Sequence, residues 1–487
     1  MVQSVPDPYA ALAETHISTV FFAGDRAYKL LKPIRTGFLD HTTIEQRAVA
    51  CRREYELNRR LAPDVYLGAS EILEHGKVAD HLIVMRRMPS ARRLTALLAT
   101  DEREDVIRQV ARAVAVFHAA QPPDDRAARN ATVDAVRRLW CGNFDEMRDY
   151  PGRLLDADAM AEAEALSMAY LDGRGPLFEH RIATGMARDG HGDLLADDIF
   201  CLDDGPRILD CLAFDDDLRV GDVLLDVAFL AMDLERLAGP ETAGTFLRHY
   251  QELSNEQHPR SLAHHYIAYR ALVRCKVNCL RADQGSTEAL LDARRHLDMV
   301  LAHLRAARPR LVLVGGAPGT GKTTTAEEIS RRCGFALLLS DELRKDLAGL
   351  AHEQHAFAEF GAGIYSEAMT DRVYAELARR AGELLAMGES VVLDASWTRA
   401  EMRERARRAA AEAHAEVIEL RCVLDPAVAA ARVERRLETQ ATTSDATPEI
   451  ARKLASSADP WPEAIDLDTT RPPLEVAARA SAVIGPV

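Results

Sequence analysis

The chain lacks any apolar run long enough to cross a bilayer, and its first residues, MVQSVPDPYAALAETHIS, carry neither a basic stretch nor an apolar one of the secretory kind. A cytoplasmic protein without a membrane partner is the expectation. Positive charge is in deficit: 61 Lys and Arg against 76 Asp and Glu leave −15, a surface that repels a phosphate backbone and argues against nucleic acid as a partner. The eight cysteines are scattered without a framework. The nearest pair, Cys275 and Cys279, stands at helical spacing rather than in a CxxC motif, so these are reduced structural thiols and not a disulfide scaffold. Lysine is scarce beside arginine. Because arginine cannot replace it as a compact, mobile charge on a phosphate, Lys29 and Lys322 stand out.

What is present begins with length. A chain of 487 residues exceeds what one core usually supports. The helical pattern DARRHLDMVLAHLRAA is interrupted at ARPR near Pro309, which predicts two domains, residues 1–305 and 306–487. The first opens with a small β-rich lobe to about residue 88. There STVFFAGDRAYKLLK is predicted as a hairpin and HLIVMRRM as a strand, with the helical AVACRREYELNRRL between them. Helices dominate the second lobe, about 89–305, interrupted by HGDLLADDIFCLDDGPRILD as a loop and short hairpin. Beyond Pro309, strands and helices alternate, which predicts a parallel α/β sheet.

The strongest motif is GAPGTGKT, of the form GxxxxGK[ST], placed behind the strand-like Leu311–Val314 and ahead of a helix. Gly316, Ala317, Pro318, Gly319, Thr320 and Gly321 present backbone N–H groups to a triphosphate, and Lys322 places a charge at its β and γ phosphates. Thr323 offers a hydroxyl to Mg²⁺, with Thr324 following it into the helix. Asp394, at the end of SVVLDAS, stands where a Walker B acid binds the same ion. Asp341 and Arg344, at DxxR spacing after the second strand, are candidates for accepting a hydroxyl proton and holding an acceptor anion; the competing reading of Asp341 is a helix cap. Arg432 and Arg436, four apart before a polar loop, are candidate lid arginines for the transferring phosphoryl group, with Arg435 not excluded. Trp397 and Tyr365 are expected to pack in the core rather than line a pocket.

In the first half, four elements follow protein-kinase order. Lys29 lies on a strand and Glu54 on the following helix, His191-Gly192-Asp193 forms a loop, and Asp210 ends the strand-like RILD. In kinase folds such a lysine–glutamate pair orients ATP, the loop aspartate accepts the substrate proton, and the later aspartate holds Mg²⁺. No glycine-rich loop precedes Lys29.

These segments, together with GDVLLDVAFLAMDLE, make residues 10 to 285 resemble the aminoglycoside phosphotransferase-like small-molecule kinases. The whole chain resembles the arrangement in which such a domain is fused to a P-loop ATP-binding domain. The second half resembles P-loop kinases of the polynucleotide-kinase, gluconate-kinase and zeta-toxin type. The resemblance implies an α+β kinase-like bilobal domain followed by an α/β P-loop kinase domain. It also implies that Asp222 and Asp226 brace the catalytic loop. The family's HGDLHxxN becomes HGDLLADD here: Leu195 replaces the histidine, and Asp198 stands where an asparagine ligates metal.

The expectation is therefore a phosphotransferase with two ATP- and Mg²⁺-dependent sites, each acting on a hydroxyl of a small molecule. The departures at Leu195 and Asp198 also admit a nucleotide-sensing regulator with a pseudokinase first domain. A nucleic-acid end kinase is disfavoured by the charge. The acidic run Asp215, Asp216 and Asp217 is read as a solvated loop in preference to a trap for a cationic amino sugar.

Overall fold

A computed structural model describes residues 8–15, 17–35, 39–351, 363–439 and 458–485, with the side chains of 436–439 left out. The chain forms two compact units that are not continuous in sequence. One comprises Met1–Leu154, Phe178–His258 and Tyr266–Val300; the other comprises Leu155–Leu177, Pro259–His265 and Leu301–Val487. Among the described residues no helix is long and apolar enough to cross a membrane.

The first unit opens with strands β1 (Ala10–Glu14), β2 (Ser18–Ala23), β3 (Arg26–Leu31), β4 (Tyr66–Glu74) and β5 (Lys77–Arg86), in an antiparallel sheet of order β1-β2-β3-β5-β4. The predicted hairpin turns at Gly24 and Asp25, with Gly24 at φ 60°, and sets Lys29 opposite Val20 and Ile83 on the central strand β3. Strand β4 is mostly exposed along its length, so no apolar alternation announces it. The helix Ile44–Asn58 is started by a capping box between Thr43 and Gln46. It buries Arg47, Cys51, Glu54 and Asn58, spaced as one helical face, which puts the Glu54 carboxylate beneath the sheet.

The remainder of this unit is mainly helical, with two β-ribbons among the helices. The ribbons pair β6 (Ala187–Asp189) with β9 (Val220–Asp222), and β7 (Ile199–Leu202) with β8 (Gly205–Ile208). The residues between β6 and β7 carry the HGD loop.

The second unit holds the predicted parallel sheet: β10 (Arg310–Gly315), β11 (Ala336–Leu339), β12 (Val391–Asp394), β13 (Glu416–Val423) and β14 (Ile465–Asp468), in the order β11-β12-β10-β13-β14. Strand β10 is buried throughout. Leu311 and Leu313 pack with Leu377, Trp397 and Trp461 on one face, while Val312 and Val314 pack with Ile329 and Leu467 on the other. That two-sided burial is why the strand is a continuous apolar run.

Segments distant in sequence complete this unit. Arg174, fully buried, donates to the carbonyls of Leu385 at 2.5 Å and Ala413 at 2.7 Å, and the Ser261 hydroxyl donates to Gly388 O at 2.7 Å.

Candidate active sites

In the first unit the folded chain brings together residues up to 181 positions apart. The Lys29 ammonium donates to Glu54 Oε1 and to Asp210 Oδ1, each at 2.7 Å. Burial works against this charge, but the two carboxylates prevail and the lysine stays protonated far into base. Glu54 is pushed up by burial despite Lys29, whereas for Asp210 the Lys29 charge and hydrogen bond overcome burial and pull the carboxyl down. Asp210 adopts φ 61°, a left-handed conformation that aspartate tolerates better than most residues. Lys29, Glu54, Asp193 and Asp210 line one cavity of about 160 Å³, together with His41 and Phe214.

The loop carrying Asp193 is braced from below. Asp226 accepts the backbone N–H groups of His191 and Gly192, each at 2.7 Å, and is itself paired with His118 Nε2 at 3.0 Å. Asp222 is held in a bidentate pair by Arg181, at 2.6 and 2.7 Å, and caps the helix Val223–Ala238 through Leu224 N–H. The family resemblance anticipates both acids as braces. It does not anticipate His118, or Asp233, which accepts Ala196 N–H at 3.0 Å. A lone histidine in a helix carries no motif, and only long-range packing shows its role. Gly192 is required at φ 85°, and an added Cβ would lie 2.9 Å from Leu212 Cβ.

Asp193 itself makes no hydrogen bond among the described residues, and burial lifts its carboxyl to about 6, against the pull of Arg274 and Arg270. That leaves an unengaged carboxylate poised near neutrality, as a general base requires. Asp198 is pushed well above the usual carboxylate range by burial, then by Asp210 and Asp193. Two acids of the run are engaged: Asp216 pairs with Arg53, Arg126 and Arg219, and Asp217 pairs with Arg126, while Asp215 accepts the Asp217 N–H at 2.8 Å.

In the second unit the phosphate-binding loop runs from Gly316 into the helix Lys322–Cys333, with Gly321 as the residue before the first turn. Gly316, Gly319 and Gly321 all have positive φ, at 137°, 84° and 86°. A Cβ on Gly319 would stand 2.3 Å from Ala429 O, so glycine is enforced by both conformation and space. Thr320 ties the loop to Ala317 O at 2.8 Å, while Lys322 is half-buried and Thr323 and Thr324 are exposed.

Asp394 sits on the strand next to β10, opposite Val314, and accepts the Thr323 hydroxyl at 2.6 Å. Its other oxygen, Oδ1, is buried without a partner, and burial lifts the carboxyl to about 6 against the charge of Lys322 and the Thr323 hydrogen bond. A hydroxyl beside an orphaned carboxylate oxygen fits a hydrated cation. Among the described residues no group of three His, Cys, Asp or Glu forms a complete cage, so in either unit phosphate oxygens and water would supply the remaining ligands, as Mg²⁺ favours.

Asp341 lies in the first turn of the helix Ser340–Ala348, with no side-chain cap bond, near enough to Asp394 to raise its pKa. Arg344 is buried; it donates to Ile364 O at 2.9 Å and stacks over the Tyr365 ring. Arg432 donates to Thr469 O at 3.2 Å, and its guanidinium comes within 3.9 Å of where a Gly321 Cβ would lie, beside the phosphate loop. Arg435 is exposed, and the side chain of Arg436 and the polar loop after it lie outside the described residues. Trp397 is a core residue, stacked edge-on against Tyr374.

The phosphotransferase enzyme family matches residues 24–265, and an AAA domain matches residues 311–460. An uncharacterised protein of Mycobacterium tuberculosis is 40% identical over 474 residues, covering 96% of this chain and 93% of that protein. Among solved structures, a choline/ethanolamine kinase family protein from Mesorhizobium loti covers 63% of this chain and 89% of its own, at 14% identity and a TM-score of 0.37. The Mycobacterium tuberculosis APS kinase bound to AMPPNP and APS covers 36% and 98%, at 24% identity and a TM-score of 0.29. The chain belongs, with its mycobacterial relative, to a family in which a phosphotransferase-family kinase domain is joined to a P-loop kinase-like domain.

Proposed function

We propose that both units transfer the γ-phosphoryl group of ATP, with Mg²⁺, to a hydroxyl of a small-molecule acceptor. The observation that carries the reading is the Lys29–Glu54–Asp210 ion-pair set lining one cavity with Asp193, an unengaged carboxylate lifted to about 6. Lys29, oriented by Glu54, holds the α and β phosphates, Asp193 takes the acceptor proton, and Asp210 with Asp198 holds the cation. In the second unit the loop amides and Lys322 hold the triphosphate, and Thr323 and Asp394 hold the cation. Asp341 is the base, with Arg344 toward the acceptor side and Arg432 toward the transferring group. A cation held by these residues would supply charge neutralisation at the phosphates.

Small acceptors are favoured over nucleic-acid ends by the net charge of −15. A second reading, a nucleotide-sensing regulator, is motivated by Asp198 in the asparagine position and by its strongly raised pKa.

The test offers labelled ATP with sugars, aminoglycosides, nucleosides and oligonucleotide ends to wild type, Lys322→Ala and Asp193→Asn. Two active sites require each variant to lose a different subset of products. Loss of every transfer in Lys322→Ala, with Asp193→Asn unchanged, leaves the first unit without kinase activity, whereas ATP turnover with no acceptor labelled supports the regulator.

A further inference from the structure

The helix Arg260–Asp283 carries two cations one turn apart, Arg270 and Arg274, that meet no carboxylate among the described residues. Arg270 is 7% exposed; its Nε donates to Leu225 O at 2.9 Å, its guanidinium lies over the Phe229 ring at 4.7 Å, and its remaining N–H groups have no hydrogen-bond partner among the described residues. Leu225 directly precedes Asp226, whose carboxylate holds the N–H groups of His191 and Gly192. The guanidinium is thereby fixed against the helix whose Asp226 braces the His191–Gly192 backbone. Arg274, half-buried, makes no hydrogen bond or ion pair among the described residues, and four-residue spacing puts it on the same helical face, with Cβ atoms about 5–6 Å apart. These two arginines are the positive charges that pull the Asp193 carboxyl down against burial.

Leaving a half-buried guanidinium unpaired is costly; of the other buried arginines, Arg47, Arg181, Arg219 and Arg310 meet carboxylates, while Arg174, Arg344 and Arg403 donate to backbone carbonyls. Of the acids that could receive a cationic acceptor, Asp216 and Asp217 are already neutralised by Arg53, Arg126 and Arg219, which leaves Asp215 alone of the run without an ion pair among the described residues.

We propose that the acceptor of the first unit carries an anionic group, a carboxylate or a phosphate, which Arg274 binds with Arg270 beside it while Asp193 receives the proton of a neighbouring hydroxyl. Arg274 is thus a specificity residue for acidic hydroxy compounds. The inference rests on the reading of the first unit as a phosphotransferase.

The test uses the full chain and two matched sets of probes: glycerol, D-glycerate, glycerol 3-phosphate and serinol, and glucose, gluconate, glucose 6-phosphate and glucosamine. Binding is titrated calorimetrically with AMPPNP and Mg²⁺ present, and transfer from labelled ATP is followed in Lys322→Ala chains. An acidic member of a set is expected to bind best. Arg274→Ala is expected to weaken it about tenfold or more, the scale of one lost charge-assisted hydrogen bond, and Arg274→Lys to restore part of that affinity. KM for ATP is expected to stay unchanged, with circular dichroism showing an intact fold. Preference for the neutral or amino member, acid binding that is absent or independent of Arg274, or an effect on KM for ATP alone overturns the proposal. Acid binding that depends on Arg274 without any transfer keeps the anion site and rejects the phosphotransferase reading.

Discussion

At the scale of single residues, burial sets the working range of the first unit's candidate base. Asp193 is lifted to about 6, and only its ionised form accepts a proton. First-unit transfer, followed in Lys322→Ala chains, is expected to fall as pH drops through about 6 and to level off above it; a kcat/KM profile flat across that range removes Asp193 as the base. Gly319 offers a second test. Gly319→Ala combines φ 84° with a Cβ 2.3 Å from Ala429 O, so it is expected to cost about 1–3 kcal/mol and to abolish nucleotide binding in the second unit. Fluorescent-nucleotide titration and thermal unfolding read the two effects separately, and wild-type binding by the variant contradicts the tight packing. Both sites were legible as residue types: Lys29, Glu54, Asp193 and Asp210 stand in kinase order, and GAPGTGKT is contiguous. Which cations stay unpaired was not legible, because arginine is abundant throughout and pairing depends on distant acids.

At the scale of elements, the His191–Asp193 loop borrows its order from helices that share no motif with it. Asp226 reaches from the helix Val223–Ala238 to two loop amides, and His118 reaches Asp226 from the helix Arg103–Ala120. Burial alone would raise the Asp226 pKa, but His118 and the loop N–H groups hold it far below the usual carboxylate range. A depressed folded pKa contributes stability that is complete above the unfolded value of about 3.9 and is lost only as pH falls through the folded one. The brace is therefore intact at neutral pH. Asp226→Asn is expected to destabilise the first unit by about 3–5 kcal/mol and to lower kcat with it, because His118 and two amides lose a buried anion. Denaturant unfolding monitored alongside transfer checks this, and an unchanged midpoint shows that the brace carries no energy. Helices and strands with strong periodicity were foreseen, such as the hairpin at Gly24 and the four parallel-sheet strands through β13. The exposed β4 was not, since its pairing with β5 rather than its own burial makes it a strand.

At the scale of the whole molecule, the second unit draws on Leu155–Leu177 and Pro259–His265 as well as the P-loop region. Arg174 closes carbonyls at Leu385 and Ala413, and Ser261 closes Gly388 O. A fragment of residues 306–487 is expected to unfold at a clearly lower temperature than the same unit within the full chain, since those carbonyls lose buried donors at about 1–3 kcal/mol each. Differential scanning calorimetry of the fragment against the full chain decides it, and equal transitions show that the added segments contribute nothing. The sequence by itself determined the chemistry: a phosphate loop, a strand lysine with a helix glutamate, and acids at strand ends are local patterns whose spacing follows from backbone geometry. Only the tertiary structure decided which charges cancel and which remain. Asp216 and Asp217 are held by Arg53 and Arg126 from two other segments and by the neighbouring Arg219, while Arg270 and Arg274 pull on the Asp193 carboxyl without an ion pair among the described residues. Pairing of charges depends on distances of a few ångströms between residues far apart in the chain, and no periodicity along the chain records it.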